Sequence, residues 1–217
     1  MTEPPWSVDG WESIFVGKDG DLFHNMIDMI DIYRVGPYVS LFFNDQDSYQ
    51  IRYVQLPVVR TALELSLLSD LGRDSTSSSI PLPRLRESVS KQLDRVITEI
   101  ADQIRAQIPE INENTRTRIA EISAHRTNIF GRIFPILMDE MTEEVYLDGP
   151  NTSIYFDHQK MGRCRTSSTY DETEVPRIVT FLRSESNLHL DRSNPSLKMD
   201  LVLFGSVLRL SASVPPL

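Results

Sequence analysis

The sequence predicts an α+β fold: an antiparallel sheet built from an N-terminal hairpin and C-terminal strands, with a central helical hairpin or coiled-coil-like region between them. Three observations carry this. Apolar side chains recur at three- and four-residue steps from Arg84 to Tyr146, as in Leu93, Ile97, Ile100, Ile104, Ile108 and Ile111. Residues 38–56 alternate in the period of two that strands require. The stretch 199–214 alternates likewise.

Taken in order, residues 1–20 form an N-terminal arm in which Asp9-Gly10 and Asp19-Gly20 bracket Ile14, Phe15 and Val16, with Trp6 and Trp11 as anchors. From Asp21 to Arg34, Phe23, Met26, Ile27, Ile30 and Tyr33 keep helical spacing, and Gly36-Pro37 stops that helix. A hairpin follows. Val39, Leu41 and Phe43 alternate on one strand and Tyr49, Ile51 and Tyr53 on the next, joined by the polar turn Asn44-Asp45-Gln46-Asp47. Pro57 opens a short helix through Leu71, and 72–83, rich in serine, reads as an exposed loop.

Pro109 and Pro135 divide the helical region 84–146 into helices of about 84–107, 111–130 and 135–146. A short turn near 109 makes the first two antiparallel neighbours, and Ile119, Ile122 and Ile129 extend the apolar stripe on the second. The stripe must be buried, against the chain's own domain or against another chain. Strands are expected around Ile154–Asp157, Ile178–Leu182 and Leu188–Leu190. In the last run Met199, Leu201 and Leu203 are one residue out of phase with Leu208, Leu210, Ala212 and Val214, so a bulge at Gly205 in one long bent strand is the expectation.

Composition bounds the function. The 217 residues, 40% hydrophobic, suffice for one domain spanning 1–217. The net charge of -9, from 31 acidic and 22 basic residues, argues against a nucleic-acid backbone or an anionic membrane as the main partner. Most of the excess lies in residues 1–50, with nine acids and two bases. Of the basic residues, 18 are arginine and 4 lysine, a bias that genome composition explains. One cysteine, Cys164, excludes an intramolecular disulfide. No apolar run reaches the roughly 18 residues that span a bilayer, and the start lacks a signal peptide's basic and apolar regions. An intracellular protein, cytoplasmic or nuclear and not secreted, is expected, and the sequon at Asn151 carries no weight there.

Candidate chemistry is sparse. Asp21, His24, Asp28 and Asp31 fall on one face of the expected first helix, where a histidine and carboxylates could hold a divalent metal or could form an ordinary solvated face. Asp139, Glu140, Glu143 and Glu144 crowd the end of the expected third long helix, where the macrodipole disfavours them; a basic partner, a cation or arginines of the same chain would compensate. Lys160, Arg163 and Arg165, beside Tyr155 and His158, form a basic patch with aromatics, suited either to a nucleic acid or to a charged loop between strands. Cys164 lies between two arginines that would favour its thiolate, with His158 the one nearby base. His125 and His189 read as surface or rim residues.

No glycine-rich phosphate loop, Gly-x-Ser-x-Gly elbow, His-Glu-x-x-His or Cys-x-x-Cys occurs, and neither a cofactor nor a small-molecule substrate is evident. The expectation is a non-catalytic structural or adaptor protein, not an enzyme, that associates with itself or a partner protein through its helical region and sheet edge. Interface candidates are Ile97, Ile100, Ile104 and Ile108 of the stripe, with Glu140, Glu143 and Glu144. A viral matrix or shell protein fits the same pattern as a subunit of a cellular complex. The alternatives are a small metal-dependent enzyme using His24, Asp28 and Asp31, and a nucleic-acid binder using Lys160, Arg163 and Arg165.

Overall fold

A computed structural model describes residues 29–45, 50–77, 89–186, 196–203 and 206–213. They form an α+β structure around one mixed sheet of eight strands: β1 (Met29–Val35), β2 (Tyr38–Asp45), β3 (Gln50–Pro57), β4 (Thr142–Leu147), β5 (Tyr155–His158), β6 (Gly162–Thr166), β7 (Ser196–Leu203) and β8 (Ser206–Ser213). The spatial order is β1-β2-β3-β6-β5-β4-β8-β7. Neighbours are antiparallel except β3 with β6 and β4 with β8, which run parallel. The expectation of a purely antiparallel sheet is therefore corrected. Parallel neighbours need long crossovers, and the helices supply them.

Those helices are α1 (Ala62–Ser77), α2 (Val89–Gln107), α3 (Glu113–Thr127), the single turn α4 (Phe134–Leu137) and α5 (Glu174–Ser186). The hairpin of β2 and β3 matches the sequence reading, with Leu41 opposite Val54 and Phe42 opposite Tyr53. Pro57 ends β3 instead of opening a helix, and α1 starts at Ala62, where the hydroxyl of Thr61 accepts the Glu64 backbone N–H at 3.2 Å. The same helix runs past Gly72 to Ser77, into the stretch read as a loop. Asn112 caps α3 by accepting the Thr115 N–H at 2.9 Å.

Four elements differ from the sequence reading. Residues 29–35 are a strand, not the end of a helix, and Gly36-Pro37 is the turn that joins β1 to β2, with Gly36 at φ 53°. Residues 142–147 are strand β4, not a continuation of the third helix. Residues 174–186 are helix α5, not a strand around Ile178–Leu182: Asp171 and Glu174 form a reciprocal capping box, and Pro176 stands in the first turn. The C-terminal run is a hairpin, with Leu203 opposite Ser206, and not one bent strand. Its register pairs Met199 with Leu210 and Leu201 with Leu208, so the one-residue phase shift is what chain reversal demands.

The main core lies between the sheet and α2, α4 and α5, where Phe42, Tyr53, Val145, Phe156 and Cys164 meet Leu93, Phe134, Ile136, Phe181 and Leu182. A second core joins α1, α2 and α3 through Leu67, Leu68, Ile104, Ile119 and Ile122. A helical hairpin is thus present within the chain; a coiled coil is not shown. Glu64 and Arg118 link α1 to α3 in a buried ion pair of 2.7 Å. On the other side of the β1–β3 meander, Leu41, Phe43 and Leu56 form a small buried cluster with Met29, Ile32 and Val54. Among the described residues, no helix is long and apolar enough to cross a membrane.

Candidate binding site

The end of α3 forms one wall of a cavity. After Thr127, the Asn128 side chain accepts the Phe130 N–H at 3.0 Å and its carbonyl accepts the Gly131 N–H at 2.9 Å, folding the chain back on the helix. A Cβ on Gly131 would lie 2.8 Å from the carbonyl oxygens of His125 and Arg126, so the fold-back needs glycine. The Arg132 carbonyl accepts from Gln55 Nε2 of β3 at 2.6 Å. Its guanidinium donates to the Thr169 carbonyl and pairs with Glu174 at 3.0 Å, at the start of α5.

These connections enclose a half-open cavity of about 370 Å³ between the α3 end, the β2–β3 hairpin and α5. Arg126, Arg132 and Arg177 line it, with Glu174 as the one acid. Among the described residues, the side chains of Arg126 and Arg177 make no hydrogen bond or ion pair, whereas Arg132 is held by Glu174. Tyr170 and Gln55 also line the cavity, although the Tyr170 hydroxyl and Gln55 Oε1 are themselves sealed from solvent and lack a hydrogen-bond partner. Tyr170 is only 4% exposed. Burial pushes its phenol pKa up. Neither the three arginines nor Tyr170 is singled out by sequence, because residues 126, 132, 170 and 177 carry no spacing signature; the Asp171-x-x-Glu174 capping box was the legible cue to the helix that brings Arg177 in.

A second constellation is internal. The Lys160 and Met161 N–H groups donate to His158 Nδ1 at 3.2 and 3.1 Å, so neutral His158 carries its proton on Nε2. Nε2–H donates to the Tyr33 oxygen at 2.7 Å, and the Tyr33 hydroxyl donates to Asp139 at 2.5 Å. Burial lowers the His158 pKa and, with Asp139 beside it, raises that of Tyr33. The relay staples β1, β5 and the turn before β4 together. Burial pushes the Cys164 thiol up to about 12, opposite to the activation expected from its arginine neighbours, because the side chain is fully buried. His125, read as a surface residue, is buried, stacked on Phe134 at 4.3 Å and bonded to the Tyr38 hydroxyl at 3.0 Å.

The other candidates are dispersed. Ile104 is buried, while Ile97, Ile100 and Ile108 are partly buried against the chain's own clusters. Glu140 and Glu143 are exposed; Glu144 lies on β4, where it accepts from Ser211 and from Lys198 at 3.3 Å, so same-chain partners compensate it and no helix dipole opposes it. Lys160 pairs with Asp31 at 2.6 Å, Arg163 pairs with Asp157 at 2.9 Å and lies over the Tyr146 ring, and Arg165 donates to Ser153. Asp21, His24, Asp28 and His189 lie outside the described residues, and Asp31 sits on β1, so the helical face proposed for a metal is not formed at that end. Among the described residues, no group of three His, Cys, Asp or Glu is placed to hold a metal ion.

No family model and no curated protein matches the chain.

Proposed function

We propose that the protein is a non-catalytic structural or adaptor component that works by association with protein chains, its own copies included. The observation that supports this best is the open sheet: among the described residues, strand β1 has a neighbour on one side only, and its Ile30 is 42% exposed. An edge strand presents unpaired backbone N–H and C=O groups, and pairing with a second chain satisfies them. The apolar stripe of α2 is spent on the chain's own core, so the contacting surface is the β1 edge together with the exposed carboxylates Glu140 and Glu143. The buried state of His125, His158 and Cys164 also favours binding over catalysis.

Light scattering over a concentration range tests this. Dimers or larger species that Ile30→Lys or Glu143→Lys dissociates, with the circular dichroism spectrum unchanged, are expected. A species whose mass neither substitution alters overturns the assignment to this edge, and a monomer at every concentration leaves only a heterologous partner.

A further inference from the structure

We propose that the cavity between α3, α5 and the β2–β3 hairpin is a binding site for a small phosphate monoester. In a chain of net charge -9, three arginines line one half-enclosed space with a single acidic residue among them, and Arg132 is already held by Glu174. Counting Arg126, Arg132 and Arg177 against Glu174 gives a wall charge of +2. A phosphate monoester carries about -1.5 to -2 at neutral pH, which matches that wall, whereas a lone carboxylate neutralises half of it. Guanidinium forks suit the several equivalent oxygens of a phosphoryl group.

The volume of about 370 Å³ suits a small molecule.

Calorimetric titration of the whole protein with glycerol 3-phosphate, and with succinate as a dicarboxylate control, tests the proposal. One-to-one saturable binding of glycerol 3-phosphate is expected, at least tenfold tighter than succinate. Arg126→Gln and Arg177→Gln should each weaken it tenfold or more with the thermal midpoint unchanged. Absence of saturable binding at low salt, equal affinity for succinate, or wild-type affinity in both arginine variants overturns the proposal.

Discussion

At the scale of single residues, burial decides what the titratable groups do. His125 lies on α3, a helix of largely polar sequence whose residues 118–120 and 122–125 are nevertheless buried, because other elements cover it on several sides. Burial lowers its pKa from 6.5 to about 4. A histidine depressed in this way favours folding while it is neutral, so stability is complete above about pH 6.5 and falls as pH drops toward 4, where the unfolded chain binds the proton first. The loss approaches an order of 3 kcal/mol. Urea unfolding at pH 7.5 and pH 5 should show it, and His125→Asn should flatten the dependence; an equal slope in both proteins would sink the idea. Sequence placed this histidine on the surface because its neighbours are polar, and the polar side chains of Arg116 and Arg118 turned out to be buried with it.

At the scale of elements, the ion pair between Glu64 and Arg118 joins α1 to α3 with both side chains under a tenth exposed. Removing one partner strands the other, so Glu64→Ala should cost about 3–5 kcal/mol, while the paired apolar replacement Glu64→Leu with Arg118→Met should recover most of it. Urea midpoints of the two variants decide between this and a dispensable pair. The elements themselves were legible where their period was clean, as in the β2–β3 hairpin and α2. They were misread where a strand carries a register shift. In β1 a shift between Met29 and Asp31 puts Met29 and Ile32 into the same cluster, and in β4 a shift between Thr142 and Glu144 leaves Thr142 and Val145 both buried. A bulge converts a two-residue step into a three-residue step, the same step a helix makes. Helix α5 was missed for the converse reason: Ile178 and Val179 carry β-branched side chains, and the capping box ahead of them went unused.

At the scale of the whole molecule, topology was the least legible property. Sequence implied that early and late strands could share a sheet, and they do, but nothing in their alternation specified that β6 would lie beside β3, or β8 beside β4, in parallel. The binding cavity shares that limit, since its walls come from residues 55, 126, 132, 170 and 177, brought together only by the completed fold.

Those parallel joins have a mechanical meaning. Each of β1–β3, β4–β6 and β7–β8 is zipped by strands adjacent in sequence, whereas the β3–β6 seam rests on three registered residue pairs and the β4–β8 seam on four. Opening either seam breaks few backbone bonds and leaves every hairpin intact. The seams should therefore open before the β2–β3 and β7–β8 hairpins, each held by eight registered pairs, and backbone amides of β6 and β8 that serve the seams should exchange with deuterium ahead of those within the β2–β3 hairpin. Uniform protection across seams and hairpins would mean that the eight strands open as one leaf.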